Sequence, residues 1–354
     1  MRRHRIMCVL VGAFLLGIAM PAAFGQGRRI ELGDFAKIVG VSDPQIAPDG
    51  KSILCVVSRV NLGQDRDDKE LVLVDVATGA QRALTGDRKE LRSPRWSPSG
   101  DRVAFIAAVG AGREAKQQIF VLSMNGGDAA QITDAPNSIE QFAWRPNGQD
   151  IAYVAADEAE NKQDIERHLD AFEVGDNGYL ETKAPTPSHI WLVAADGGKA
   201  RRLTSGPWTL PKVLPPSSPS SPLSWSPDGN SIVFTKQDDP HSGDSDLRTV
   251  QVLSVATGEI RKLTNHDKLE GFGVFSPDGG RIAYWFPRDG SRSNENEIFV
   301  TSATGGDGQD ATRAIDRNIL RAIWMPDGKS LLVGGHDGTG MRSGMSQPQY
   351  GIDC

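Results

Sequence analysis

Few residues in this chain have types and spacings that could do chemistry. A serine, Ser346, lies in Gly344-Met345-Ser346-Gln347-Pro348. A nucleophile elbow needs glycine two places after its serine, because the backbone bends sharply there. Proline holds that place here, and its ring fixes φ. Too little chain follows Pro348 to carry an acid and a histidine, so no catalytic residue is assigned. There are six histidines, and His168, His189, His241, His266 and His336 stand far apart, none at metal-ligand spacing. No metal site is expected. The acidic loop Asp238-Asp239 with Asp244-Ser245-Asp246 lacks the glycine and the terminal glutamate of a calcium loop, and reads as a solvated turn. The Gly-Gly pairs sit in hairpin turns, not at helix starts, so no phosphate loop and no cofactor is expected.

One acidic group carries more. Asp164 to Glu173 reads as a short helix, with Ile165, Leu169 and Phe172 on one face. Glu166, Asp170 and Glu173 share another face. Three carboxylates together could hold a cation, such as the free amino end of a peptide, although such runs are most often solvated.

The elements that must position these residues are written as a repeat. Trp96 begins "WSPSGDRVAFIA", and versions of it begin at Trp144, Trp225, Phe275 and Trp324, with a weaker copy from Ile46. The proline presets φ for the second position of a type I turn, and glycine closes it. Apolar strands flank the turn, giving a β-hairpin. A second hairpin follows in each unit, as in Gln118–Leu122, Asn125-Gly126-Gly127 and a return strand ending in Ile132-Thr133. The fifth unit, from Glu297, lacks a clear final Leu-Thr. The turn glycines Gly50, Gly100, Gly148, Gly229, Gly279 and Gly328 fall 50, 48, 81, 50 and 49 residues apart. Four short strands repeated at this period predict an all-β fold, a β-propeller of four-stranded antiparallel blades. About six blade motifs are visible, and the last is incomplete. The aromatics that open the repeats are expected to pack between blades.

The long interval is filled in two places. Asp157 to Ser188 is inserted between the second and third strands of its blade and carries the acidic stretch. Pro207 to Pro222 holds six prolines and reads as an extended connector.

The ends differ from the middle. Basic residues, a short apolar run and small residues up to Gly25 make residues 1–25 a signal peptide, which predicts a periplasmic or secreted product with no membrane span after cleavage. The propeller is expected over 26–335. The tail at 336–354 has scattered apolar residues and several glycines, and is expected to be irregular, truncated or frame-shifted. Cys55 lies in an apolar strand and reads as a small core residue. A net charge of −6 with no basic stripe excludes a nucleic-acid partner.

Three phrases carry a resemblance. They are Val41-Ser42-Asp43-Pro44-Gln45-Ile46-Ala47-Pro48-Asp49-Gly50, the insertion phrase Asp170-Ala171-Phe172-Glu173, and Ser188 to Val193 running into Arg201-Arg202-Leu203-Thr204. From about Leu32 to Thr339 the chain resembles the N-terminal propeller of the prolyl oligopeptidase family of serine peptidases, acylaminoacyl- and dipeptidyl-peptidase-like. The resemblance implies a substrate-gating domain beside an α/β-hydrolase domain that supplies a Ser-Asp-His triad. It implies a peptide substrate, and acidic propeller residues that hold the peptide's amino end, with Glu173 the nearest match. The departure is the missing G-x-S-x-G, so the chain by itself is expected to be inactive. The alternative is a non-enzymatic periplasmic propeller that binds proteins, similar to the Tol-system translocation protein. A further alternative is a propeller enzyme acting through its central channel.

Overall fold

The computed structural model describes residues 29–335, apart from 87, 89, 176–182, 212–221, 242 and 244–245, together with the backbone of 349–353. The expected leader at 1–25, most of the tail beyond Gly335, and Ser346 lie outside the described residues. Six antiparallel sheets follow one another along the chain, at 39–83, 92–131, 139–202, 224–262, 271–310 and 319–353. Each is a simple meander of consecutive strands, four in the first five blades and three in the sixth. The third strand of blade 6, Gln349–Asp353, pairs with Ser330–Gly335. The expectation of an irregular tail therefore fails for those five residues: their backbone groups complete a ladder with the preceding strand. Among the described residues no helix is long and apolar enough to cross a membrane.

The central strands read as unbroken apolar runs because both faces of each sheet are covered. In blade 2, Val103, Phe105 and Ala107 join the core shared with blade 1, while Ala104 and Ile106 join the core shared with blade 3. Successive side chains point to opposite faces, so one run serves two seams. Blade 4 repeats the rule: Ile232 and Phe234 pack toward blade 3, and Val233 packs toward blade 5. Five apolar clusters fill the five seams between consecutive blades. Among the described residues none joins blade 6 to blade 1. Cys55, with Val57 and Val72, is buried on the far face of blade 1, and burial pushes its thiol pKa up.

The Pro-x-Gly turn works twice. Within a blade it is a type I turn, as in Gly229 N–H donating to the Ser226 carbonyl at 2.8 Å. The six turn glycines all hold φ between 64° and 75°, a region that costs a residue with a Cβ about 1–2 kcal/mol. Between blades, each turn glycine from blade 2 onward then lies against the turn proline of the preceding blade. A Cβ on Gly100 would stand 3.4 Å from Pro48 Cδ, and one on Gly279 would stand 3.0 Å from Pro227 Cδ. The same pairing recurs for Gly148 with Pro98, Gly229 with Pro146 and Gly328 with Pro277.

The repeat aromatics latch the innermost strands together. The indole N–H of each tryptophan donates to a carbonyl on the first strand of the preceding blade: Trp96 to Gln45, Trp144 to Arg95, Trp225 to Ala143 and Trp324 to Val274, at 3.1–3.3 Å. Three of these rings also carry an arginine from the preceding blade. Arg102, Arg145 and Arg281 lie 5.3, 5.6 and 4.9 Å from the ring centres of Trp144, Trp225 and Trp324. Each also donates to the carbonyl of the next turn glycine, Gly148, Gly229 or Gly328. Blade 3 has Asp150 where blades 2 and 5 have arginine, and Arg145, paired with Asp150 at 2.9 Å, supplies the clamp instead. Phe275 has no N–H on its ring, and its backbone N–H donates to Ser224 Oγ at 3.1 Å.

Candidate functional site: the loop end of the propeller

In an up-and-down meander the first and third connections lie at one end, and the second connections and blade crossovers lie at the other. Pro-x-Gly turns fill the first end. The loop end carries the insertion at 157–187.

The insertion differs from its expectation. Its helix runs only from Lys162 to Glu166, and no helix residue is buried. His168 takes a left-handed φ of 56°, with His168 N–H bonded to the Ile165 carbonyl and Leu169 N–H to the Asp164 carbonyl. This is a Schellman stop. Leu169, expected on a packed face, is 71% exposed, so no burial rewards a further turn. Glu166, Asp170 and Glu173 therefore do not share a helical face. Glu166 and Glu173 are exposed, and Asp170 is half-buried with Oδ2 lacking a donor among the described residues. The insertion then lies directly on the corresponding loop of blade 4: a Cβ on Gly175 would meet the His241 ring at 2.8 Å, and one on Gly243 would meet the Gly175 carbonyl oxygen.

Beneath these loops a threonine closes each blade. Its hydroxyl accepts the N–H of a central third-strand residue: Thr85 from Leu71, Thr133 from Ile119, Thr204 from Ile190 and Thr312 from Ile298, at 2.9–3.0 Å. Thr312 fills this role in blade 5, where the sequence shows no clear Leu-Thr ending. In blade 4, Glu270 takes the N–H of Val250 at 2.8 Å, and Thr264 donates to Glu270 instead. The residue just ahead on the third strand is polar in blades 1 to 5 and varies among them, with glutamate recurring only in blades 1 and 5: Glu70, Gln118, His189, Thr249 and Glu297. All but Glu70 are buried.

These positions build different electrostatic groups. His189 is fully buried, with Nδ1 3.2 Å from Thr204 Oγ1 and Nε2 3.1 Å from the Gly206 carbonyl. Burial lowers its pKa, and Asp157, whose Oδ2 is 3.7 Å away, opposes this. A neutral ring satisfies both contacts, donating from Nε2 and accepting at Nδ1. Glu270 is raised, chiefly by burial, and the hydrogen bonds from Thr264, Val250 and His266 hold it down. His266 Nδ1 lies 2.9 Å from Glu270. Thr264 donates to the same carboxylate, not to the imidazole, so this trio is no nucleophile–base pair. Glu297 is pushed up to about 7, first by burial and then by a hydrogen bond with Asp310. Glu297 Oε2 and Asp310 Oδ2 are buried without an ordinary donor, so one proton shared between the carboxyls serves both. Arg288 Nε meets Glu297 at 2.7 Å and its Nη1 meets Asp316 at 2.7 Å, which ties the blade 5 loop to the crossover into blade 6.

Nearer the axis, Arg92 donates through Nε to Gln117 at 2.7 Å and through its other nitrogens to the Glu140 and Ile139 carbonyls. Ser188 donates to Glu140 Oε1 at 2.8 Å. Among the described residues no group of three or more His, Cys, Asp or Glu side chains is placed to hold a metal ion. Sequence reasoning missed Arg92, Glu140, His189, Glu270 and Glu297 because they are scattered over blades 2 to 5 and far apart along the chain. The available signal was a polar residue standing at one fixed repeat position, next to an apolar run.

Radially stacked sheets, with regular turns at one end and varied polar groups at the other, define the class: a β-propeller with one specialised end. No protein-family model matches the chain. It is 30% identical over 218 residues to an uncharacterized peptidase, YuxL, of Bacillus subtilis, covering 59% of this chain and 31% of the relative. It is 24% identical over 349 residues to dipeptidyl-peptidase 5 of Porphyromonas gingivalis, covering 92% and 49%. The chain thus spans about a third to a half of the length of these relatives. Among solved structures, the uncomplexed acylaminoacyl peptidase of Pyrococcus horikoshii overlays with a TM-score of 0.62 at 17% identity, covering 85% of this chain and 43% of that one. The β-propeller domain of the Trilobed protease from Pyrococcus furiosus, described as having an open velcro topology, overlays with a TM-score of 0.57 at 17% identity, covering 85% and 79%. The chain resembles the β-propeller domain of prolyl-oligopeptidase-family serine peptidases.

Proposed function

We propose that the chain is the substrate-gating propeller of an exported prolyl-oligopeptidase-like serine peptidase, inactive by itself. Amide hydrolysis of short peptides would fall to an α/β-hydrolase domain, because these residues contain no G-x-S-x-G elbow. The observation that carries this reading is the match to curated peptidases over 92% of the chain while covering only 49% of a relative's length. The loop end, where the blade 3 insertion lies on the blade 4 loop, is the face that would receive peptide. Asp170, with its unpaired Oδ2, is the member of the acidic trio best placed to take an amino end; Glu166 and Glu173 face solvent.

The test is hydrolysis of dipeptidyl and N-acylaminoacyl nitroanilides. The purified chain is expected to release no nitroaniline, and the product of the gene read through beyond Cys354 is expected to release it. Cleavage by the chain alone, or a read-through product without a hydrolase domain, overturns the proposal.

A further inference from the structure

Two arginines at the loop end are similarly desolvated, and among the described residues only Arg92 has its Nε bonded. Arg92 and Arg248 are both half-buried, and burial is the leading influence on each, drawing both below the usual guanidinium range. Arg92 spends its donors on Gln117 and on the carbonyls of Ile139 and Glu140. Arg248 Nε is buried and has no hydrogen-bond partner among the described residues. Its neighbours do not supply one. Asp246 attracts Arg248, but its carboxylate is bonded to Arg292 at 2.7 Å, and the Asp246 carbonyl is held by the N–H groups of Arg248 and Leu269, both at 2.8 Å. Arg292 adds a second positive charge beside Arg248.

The repeat shows what this position does elsewhere. Arg248 stands two residues ahead of Val250, as Gln117 stands ahead of Ile119 and Ser188 ahead of Ile190. Those three residues are the ones whose N–H groups end on Glu270, Thr133 and Thr204. In blades 2 and 3 the position is bonded to a first-strand side chain, Gln117 to Arg92 and Ser188 to Glu140. In blade 4 it presents a guanidinium whose buried Nε has no partner among the described residues. A buried donor without a partner is costly, and such a group in a native fold calls for a ligand or an ion. Guanidinium matches a carboxylate through two parallel N–H···O bonds, which an ammonium does not reproduce.

We propose that Arg248 is a carboxylate-binding position at the loop end, taking the C-terminal carboxylate of a short peptide. The proposal deepens the peptide-gating reading and rests on it for the peptide, but its test needs no hydrolysis. Calorimetric titration of the whole chain with N-acetyl-trialanine and with its C-terminal amide reads it directly. The free acid is expected to bind at least tenfold more tightly than the amide. R248Q should abolish that preference, R248K should lose most of it because charge remains without the fork, and R292Q, which frees the Asp246 carboxylate beside Arg248, should weaken it. Circular dichroism melts of R248Q and R248K establish that the variants are folded. Equal binding of acid and amide, no binding of either, or an undiminished preference in both R248 variants overturns the proposal. Failure of nitroanilide hydrolysis by the read-through product bears on the peptidase reading alone and leaves this result standing.

Discussion

The turn end and the loop end of this propeller are built by opposite rules. At the turn end the same contact recurs at every seam: a proline ring under the next blade's glycine, and at four of the five seams an indole bonded to the preceding strand. At the loop end no two seams match. His189 with Asp157, Glu270 with His266, and Glu297 with Asp310 each occupy one blade. The difference teaches where the sequence is constrained by stacking and where it is free to specialise. The one departure at the turn end sharpens the point. At the seam between blades 4 and 5, Phe275 replaces tryptophan, and Ser224 takes over as the polar tie.

The largest expected effect breaks the turn end. Trp225→Ala removes a buried ring, its bond to Ala143 and the surface on which Arg145 stacks, and should cost about 3–5 kcal/mol in urea unfolding. Trp225→Phe, which imitates the blade 5 arrangement without its serine, should cost about 1 kcal/mol for the lost hydrogen bond. Equal losses would show that the indole N–H contributes nothing.

Next in size is a loop-end effect that depends on pH. The folded Glu297 carboxyl keeps its proton to about 7, whereas the free carboxyl loses it near 4.5. The folded state therefore binds more protons across that window, and stability falls as pH rises from 4.5 to 7. The fall should be on the order of 2–3 kcal/mol. His189, with its lowered pKa, slopes the other way: its contribution is lost as pH falls below about 6.5. The readout is thus the difference in melting temperature between Glu297→Gln and the parent across pH 4.5–8, which should be steep over 4.5–7 and level above it. A flat difference would remove the shared proton.

Two glycines at the turn end separate strain from stacking. Gly50→Ala meets only the left-handed φ, because nothing lies within 4 Å of its added Cβ, and should cost about 1–2 kcal/mol. Gly279→Ala has nearly the same φ and also presses on Pro227, so its cost should exceed that of Gly50→Ala. If the two unfold alike in urea, the proline–glycine stack carries no energy.

The smallest effect lies in the insertion. His168→Gly should leave global stability within about 0.5 kcal/mol, since relief at the left-handed position is offset by the entropy of glycine. Limited proteolysis of 157–175 should likewise be unchanged.

The blades were legible because their determinants are local. Pro48-Asp49-Gly50 and its five echoes specify a turn through the intrinsic φ of proline and glycine, and runs such as Val103 to Ala107 specify a strand covered on both faces. The insertion was only half legible. Leu169 and Phe172 carry helical spacing, but spacing rewards a helix only where a surface waits to cover it, and none covers Leu169. The loop-end groups could not be read, because Asp157 opens the insertion while His189 and Arg202, which both meet it, stand on the third and fourth strands of blade 3.

Sequence by itself determined the repeat unit, its turns, its strand count and the alternation that makes each sheet two-faced, since all of these follow from backbone preference and period. Tertiary structure alone decided which carbonyl each indole reaches, which proline lies under which glycine, that Glu297 faces Asp310 in a buried pair and that Arg248 Nε has no partner among the described residues. Those facts depend on distances between residues about fifty positions apart, and such distances exist only once the sheets have stacked.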